Sequence, residues 1–126
     1  MKSETSVRFA VHLKAGDHIV IGQACGEPTT LVEALIDQGR GIPGLSAFIA
    51  TSFSGLFTPA TADSFALSSM GAIGALRSMT KAGKLQVIPV HVSQVGPLIT
   101  AGVIPCDVAL IQVSPVDEHG NHSCGL

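Results

Sequence analysis

The sequence contains no tryptophan and no tyrosine, few charged residues and no long apolar run. No apolar stretch reaches the roughly 18 residues that a membrane helix needs, and the polar N-terminus is unlike a secretion signal. Charged residues make up 13% of the chain, the net charge is −2 at pH 7, and the Lys and Arg residues are scattered. A nucleic-acid partner requires a basic stripe, so the composition argues against nucleic acid as well as against a membrane.

Cysteine is also scarce. Cys25, Cys106 and Cys124 form no CxxC pair and cannot all pair internally, which predicts reduced thiols and a cytoplasmic protein. Cys106 opens an apolar run, so we predict a small core residue there. What the chain does have is 14 glycines and 46% apolar residues in 126 positions. This composition predicts one globular domain with close packing and tight turns.

Alternating short elements dominate the pattern along the chain. Short apolar or β-branched runs predict strands at residues 18–21, 45–51, 64–67, 85–90 and 107–113. Apolar residues at helical spacing predict helices at residues 28–38, 70–81 and 93–102, the last with Ser93 as its N-cap. The runs at 85–90 and 107–113 are typical of strands buried on both faces. The alternation predicts an α/β fold: a mostly parallel sheet with helices on both faces.

Two further features of the sequence are a polar segment between predicted elements and a pair of glycines within a predicted helix. Residues 52–63 are rich in Ser, Thr, Gly, Pro and Phe, which predicts a functional surface loop anchored by Phe53 and Phe57. Gly71 and Gly74 weaken the helix at 70–81. We attribute them to close packing, either against a neighbouring element or against a ligand.

Candidate site residues follow the strands, because ligands of open parallel sheets bind outside the carboxyl ends of the strands. One loop follows the first strand, another contains His91 and Ser93, and a third covers residues 114–125. The candidates for substrate binding are Gly22, Gln23, Ala24, Cys25, Gly26, Glu27, Ser114, Pro115, Asp117, His119 and Gly120. The first loop matches neither GxGxxG nor a P-loop, but its backbone N–H groups could hold an anionic oxygen.

Several roles stay open for these residues. Glu27 could act as an acid or base, or merely cap the following helix and aid solubility. Cys25 could be a nucleophile if a histidine reaches it. His119, His122 and Cys124 could bind a metal, although their spacing matches no standard zinc pattern and we predict no metal site. The favoured interpretation of the last loop is a turn stabilised by Asp117 and Asn121, with His119 and Gly120 lining a pocket.

Four segments resemble one family. They are KAGDHIVIG at 14–22 with CGEP at 25–28, IPVHVS at 88–93, DVALIQVSP at 107–115, and DEHG at 117–120. Together they are similar to the N-terminal domain of acetyl-CoA hydrolases/transferases, a group that includes 4-hydroxybutyrate CoA-transferases. The similarity runs from about residue 14 to residue 126, and the VSP-x-DEHG stretch is its most specific part.

The resemblance implies a NagB/RpiA/CoA-transferase type of α/β fold and a reaction through a glutamyl-CoA thioester. CoA passes between an acyl-CoA and a carboxylate such as acetate, or acetyl-CoA is hydrolysed; coenzyme A is a substrate, and no cofactor is held permanently. In the family the nucleophilic Glu lies in a second domain, so we expect residues 1–126 to be a partial N-terminal domain lacking it, and whether the chain is itself an enzyme stays open.

The resemblance also bears on partners. A catalytic C-terminal domain or partner chain is expected to complete the site, and an exposed edge strand favours self-association into a homo-oligomer. A non-catalytic module that binds a carboxylate, or serves as a subunit of a split enzyme, is the alternative function. A cysteine-dependent hydrolase using Cys25 is a third.

Overall fold

The computed structural model describes residues 7–125, which form one parallel sheet with helices on both faces. The strands are β1 (His18–Ile21), β2 (Ser46–Ile49), β3 (Ala66–Ser69), β4 (Leu85–Val87) and β5 (Val108–Leu110). The α-helices are α1 (Thr29–Gln38), α2 (Arg77–Lys81) and α3 (Val92–Thr100). The predicted α/β architecture is therefore confirmed.

The strand order is β4-β3-β2-β1-β5, and every described pairing is parallel. The chain first moves outward from β1 to β4 and then returns to place β5 on the other side of β1. The order thus reverses between β1 and β5, and in open α/β sheets a ligand crevice forms beside the carboxyl ends of strands at such a switch point.

Alternation of side chains along the strands divides the core in two. Ile19 and Ile21 of β1 lie in the larger cluster, beneath α1, with Val32 and Leu35 of that helix fully buried. Val20 points the other way and packs against the smaller cluster, which Phe48 and neighbouring residues form beneath α3. The sheet is consequently well covered on the α1 face and thinly covered on the α3 face.

Polar contacts join His18, the first residue of β1, to Asp107, the residue just before β5. The Asp107 carboxylate accepts hydrogen bonds from the His18 backbone amide and pairs with the His18 ring, both at 2.9 Å. The Asp107 amide in turn donates to the His18 carbonyl at 2.8 Å. The backbone hydrogen bond from His18, and then the bond from its side chain, hold the pKa of the Asp107 carboxyl below its ordinary value.

Some predicted elements are wrong in extent. The helix predicted at 70–81 is only α2, because Gly74 adopts φ +65° and forms an isolated bridge with Ser52 instead of a helical turn. The N-cap of α3 is His91, whose Nδ1 accepts from the Ser93 amide, so the predicted Ser93 cap is wrong.

The strands predicted to be buried on both faces are also corrected. β4 and β5 are the two edges of the sheet, and Val87, Ile111 and Val113 are exposed. Cys106 is exposed as well, contrary to the core position predicted for it. The apolar runs do form strands. Both strands lie at an edge of the sheet, however, where only one neighbouring strand shields their side chains from solvent.

Candidate active site at the carboxyl edge of the sheet

The first candidate loop, residues 22–27, lies at the switch point. The Gly22 amide donates to the Leu110 carbonyl of β5 at 2.9 Å, so the loop begins where β1 and β5 are still paired. A Cβ added to Gly22 would lie 2.7 Å from the Gly26 carbonyl oxygen, which requires glycine at this position. Ala24 has φ +52° and donates its amide to the Thr51 carbonyl at 2.9 Å. The loop is therefore tied to the strands on both sides of β1.

Glu27 ends this loop and is buried, with only 6% of its surface exposed. Its carboxylate accepts one hydrogen bond from Ser52 Oγ at 2.8 Å and another from Ser54 Oγ at 2.7 Å. The two hydroxyl oxygens are 3.3 Å apart, and Ser52 is fully buried. We call Glu27, Ser52 and Ser54 the serine clamp. It joins the loop after β1 to the loop after β2.

The clamp rules out the alternative that Glu27 caps a helix and aids solubility. The N-cap of α1 is Pro28, which has no side-chain cap, and the Glu27 carboxylate faces the serines instead of water. Within residues 7–125, the ion pairs are His18–Asp107 and His119–Glu118, so no cation pairs with Glu27. A buried carboxylate without a cation depends on its hydrogen bonds, and here two hydroxyl groups supply them.

The loop after β1 shares a pocket of about 280 Å³ with the segment that follows β4. The pocket is lined by residues from β1 and its loop, from β2 and from the first half of α3: Val20, Ile21, Gly22, Gln23, Phe48, Ala50, Val92, Val95 and Gly96. Two of the three loops expected to meet at the carboxyl edge are thus brought together. His91 and Ser93, which the sequence singled out, hydrogen-bond to each other at the start of α3 at 2.9 Å.

A larger groove of about 640 Å³ lies at the opposite edge. It is lined by His18 and Ser46, the first residues of β1 and β2, and by Lys84 and Leu85 at the start of β4. We do not take it as the candidate site despite its size, because ligands of open parallel sheets bind at the carboxyl ends of the strands.

The last loop has the turn that was predicted for it. The Asp117 carboxylate accepts from the His119 amide at 2.9 Å and from the Asn121 amide at 2.7 Å, and the Gly120 amide donates to the Asp117 carbonyl at 3.1 Å. The Asn121 amide hydrogen bond is the main reason why the pKa of Asp117 lies below its ordinary value. The Ser114 and Ser123 backbones are also joined, at 2.9 Å, which closes the loop on itself.

The structure does not join this last loop to the first. The side chains of Ser114–Gly120 are largely exposed, and among the described residues no hydrogen bond links them to residues 22–27. His119 and Gly120 are exposed and line neither the 280 Å³ pocket nor the 640 Å³ groove. Substrate binding by either loop therefore remains a prediction from the sequence.

Two other hypotheses from the sequence concern a metal site and a Cys25 nucleophile. In the part of the chain from residue 7 to residue 125, no three His, Cys, Asp or Glu side chains come close enough to hold a metal. Cys25 is exposed, and the described histidine side-chain contacts go to Asp107, Ser93, Glu118 and the Ser114 carbonyl, none of them to Cys25.

Sequence reasoning missed Ser52 and Ser54 as partners of Glu27. The only signal was compositional, since both lie in the 52–63 loop that was expected to be functional. Phe57 anchors that loop as predicted, being buried, whereas Phe53 is exposed and the expectation that it anchors the loop is wrong. No helix within the described residues is long and apolar enough to cross a membrane.

Comparison with known proteins adds family and structural matches. The model of the acetyl-CoA hydrolase/transferase N-terminal domain matches residues 2–126. RipA from Yersinia pestis is 26% identical with a TM-score of 0.74, and the match covers 90% of this chain and 29% of that chain. A mutant of RipA is 25% identical with a TM-score of 0.77, covering 90% and 28%. The chain thus spans less than a third of the solved structures that it matches. No curated protein matches it.

Proposed function

The chain belongs to the acetyl-CoA hydrolase/transferase N-terminal domain family, and from this membership we propose that it forms one wall of a site where CoA is exchanged between an acyl-CoA and a small carboxylate, or where acetyl-CoA is hydrolysed. Coenzyme A is then a substrate, and no permanently bound cofactor is part of the proposal. Because its three cysteines are free, the proposal also places the protein in the cytoplasm.

One observation carries the proposal beyond family membership. The loop after β1 is fixed at the switch point by the Gly22–Leu110 hydrogen bond and shares a pocket with the start of α3. This is where an open α/β sheet binds ligands, and a glycine-containing turn brings its backbone close to whatever is bound. The amides of Gly22, Ala24, Gly26 and Glu27 donate to acceptors within the protein, so the amides of Gln23 and Cys25 are the loop donors that would hold a carboxylate or a thioester carbonyl oxygen.

The chemistry requires a nucleophilic carboxylate. An enzyme glutamate attacks the thioester carbonyl and an anhydride forms; the released CoA thiolate then attacks the glutamyl carbonyl, giving the glutamyl thioester and the first carboxylate. The incoming carboxylate reverses these steps, whereas water releases CoA and regenerates the glutamate.

We assign none of the described glutamates to that role. Both oxygens of Glu27 are engaged by serines, while Glu33 lies exposed in α1 and Glu118 lies exposed in the last loop. The proposal therefore needs the nucleophile from a catalytic domain or partner chain outside these residues. A non-catalytic carboxylate-binding or subunit module is the second candidate, and the absence of an assignable nucleophile among the described residues favours it.

Two measurements test the proposal. Isotope-labelled protein is titrated with acetate while backbone amide signals are followed by NMR, and we expect the Gly22 and Gly26 signals to shift in a saturable way while the remote Gly16 signal stays fixed. Acetyl-CoA turnover is then measured with acetate, butyrate, succinate or 4-hydroxybutyrate as acceptor. Residues 1–126 alone should give no turnover.

Each result has a different consequence. Saturable binding without turnover supports the proposed wall of the site. Robust turnover by residues 1–126 alone would show that the argument for an external nucleophile is wrong. If neither acetate nor acetyl-CoA shifts any signal at the carboxyl edge, the substrate-binding function itself is wrong. Loss of measured hydrolysis in Cys25→Ala would favour a cysteine hydrolase instead.

A further inference from the structure

The groove of about 640 Å³ opens on the α3 face of the sheet, over the amino halves of the strands. Leu67 and Leu85 pack into the core on the α1 face, so the next residues along, Ser68 and Gln86, face the groove. The helix α3 packs instead on the cluster around Phe48, nearer the carboxyl ends of the strands. The groove is therefore a part of the sheet surface that no described helix covers.

The floor of the groove is polar, unlike the rest of the sheet. Parallel sheets normally have both faces covered by helices, and the covered strands are then almost continuously apolar. Here the strand side chains that face the groove are short or polar, and they come from four neighbouring strands: His18, Ser46, Ala66, Ser68 and Gln86. A helix packed on this floor would bury hydroxyl and amide groups without partners, which costs free energy. The floor suits a ligand with polar groups better than it suits a helix.

The walls of the groove are apolar, which distinguishes it from a bare, solvated sheet surface. Val103 and Pro105 follow α3, and Ile88 follows β4. Val103 is 61% exposed. A concave, mostly apolar lining with a few convergent polar groups is the usual form of a small-molecule site, and such sites have volumes of about 300–1,000 Å³. The groove has this form and this size.

The charge in the groove is positive. Lys84 lines it just before β4, and none of the lining residues is Asp or Glu. Within residues 7–125 the ion pairs join His18 to Asp107 and His119 to Glu118, so the Lys84 ammonium pairs with no carboxylate there. The His18 ring, also in the lining, is already bonded to Asp107 at 2.9 Å. Lys84 is therefore the group available to an anion, and lysine binds phosphate as a point charge.

We propose that the groove is a second binding site, which takes a phosphate ester of nucleotide size. Lys84 binds the phosphate, the side chains of Ser46, Ser68 and Gln86 bond to polar groups of the ligand, and Val103 packs against its apolar part. The site lies at the opposite edge of the sheet from the candidate active site. The inference consequently goes beyond the proposed function and does not depend on it.

The contribution of Lys84 is modest because its side chain is exposed. A solvent-exposed ion pair changes an affinity by up to about fivefold, and salt screens it. Adenosine monophosphate should thus bind about threefold to fivefold more tightly than adenosine at low ionic strength, with a ratio near one at high salt. Inorganic phosphate should bind more weakly than either, because it has no apolar part to contact the walls.

NMR titrations of the isotope-labelled chain with adenosine monophosphate, adenosine and inorganic phosphate test the site. The amide signals of Ser46, Ser68 and Gln86 should shift in a saturable way, while the Gly22 signal at the carboxyl edge stays fixed. If adenosine monophosphate shifts none of the groove signals, the second site is wrong, whatever the acetate titration shows. Equal affinity for phosphate and adenosine monophosphate would also overturn it, since binding would then be an ion contact alone.

Variants separate the charge of the groove from its shape. Lys84→Ala should bring the ratio of adenosine monophosphate to adenosine affinity to about one and leave adenosine binding unchanged. The control Lys81→Ala removes an exposed lysine of α2 that does not line the groove and should keep the parent ratio. Val103→Glu adds a carboxylate to the wall at an exposed position and should weaken the phosphate ester more than adenosine. Circular dichroism checks that each variant is folded, and an equal drop in the ratio for Lys81→Ala and Lys84→Ala would overturn the site.

Discussion

Removing the Glu27 carboxylate should destabilise the fold as well as loosen the candidate site. In Glu27→Ala, the Ser52 hydroxyl loses its 2.8 Å acceptor while remaining fully buried, whereas Ser54 lies near water and can be solvated. A hydrogen bond to a charged group contributes about 1.5–3 kcal/mol, and part of this is offset because the substitution also removes the cost of burying a carboxylate. The net loss in free energy of unfolding should be about 1–2 kcal/mol.

That loss is measurable by thermal and urea denaturation followed by circular dichroism. An unfolding entropy of about 2.1 cal/mol/K per residue gives a domain of this size a shift in Tm of about 4 °C per kcal/mol, hence about 4–8 °C for Glu27→Ala. Glu27→Gln should lose less than half as much. The control Glu33→Ala removes an exposed glutamate from α1 and should change the free energy of unfolding by no more than about 0.5 kcal/mol.

The reasoning is refuted if Glu27→Ala matches or exceeds the parent in stability. Such a result would mean that desolvation of the carboxylate outweighs its two hydrogen bonds, as happens when a buried polar group is replaced without leaving its partners unsatisfied. Ser52 and Ser54 are only 3.3 Å apart, so they could then pair with each other. Equal losses for Glu27→Ala and Glu33→Ala would likewise contradict a specific role of the clamp.

Two further predictions concern the backbone and the sheet edge. Gly22→Ala should lower the free energy of unfolding by about 1–3 kcal/mol in urea denaturation, because the new Cβ meets the Gly26 carbonyl oxygen at 2.7 Å, whereas Gly41→Ala, with open space around its Cα, should lose much less. Asp107 has its pKa lowered in the folded state, so it contributes stability above the ordinary carboxyl value of 3.8 that is lost as the pH falls through the lower folded pKa. Asp107→Asn should remove this acid-range dependence in pH-resolved denaturation, and an unchanged pH profile would show that the His18 contact does not perturb the carboxyl in solution.

Element types were largely readable from the sequence, whereas their neighbours were not. Apolar and β-branched runs predicted all five strands, since burial in a parallel sheet demands such residues, although β3 begins two residues later than predicted and β2, β4 and β5 are shorter than the predicted runs. Which strands become edges depends on the order β4-β3-β2-β1-β5, which no local pattern encodes. The runs at 85–90 and 107–113 look like central strands, yet each has a partner on one side only. A run of apolar residues predicts that a strand forms, but it does not predict how many neighbouring strands that strand has.

The site contacts that the sequence did not predict join residues that are distant in the sequence. Glu27 and Ser52 are 25 positions apart and meet only because β1 and β2 are adjacent in the sheet. From the sequence, Glu27 looked like a residue at a helix start, which is usually an exposed position. Gly74 was attributed to close packing, and its approach to Ser52 and Phe53 agrees, but the same conformation ended the helix that was predicted through it.

The loops at the carboxyl edge are of two kinds. Those after β1, β2 and β3 are bonded to one another, whereas residues 114–125 are bonded only among themselves. The Ala24–Thr51 hydrogen bond, the serine clamp and the contacts of Gly74 join the loops after β1, β2 and β3 to one another. Residues 114–125 are held instead by the Asp117 turn and the Ser114–Ser123 bond, which close the loop without attaching it to β1. Local opening costs least where the backbone is exposed and contacts are few. Hydrogen exchange should therefore find the amides of residues 114–123 exchanging faster than those of Ala24 and Ser52, and equal protection would show that the last loop is anchored to the wall.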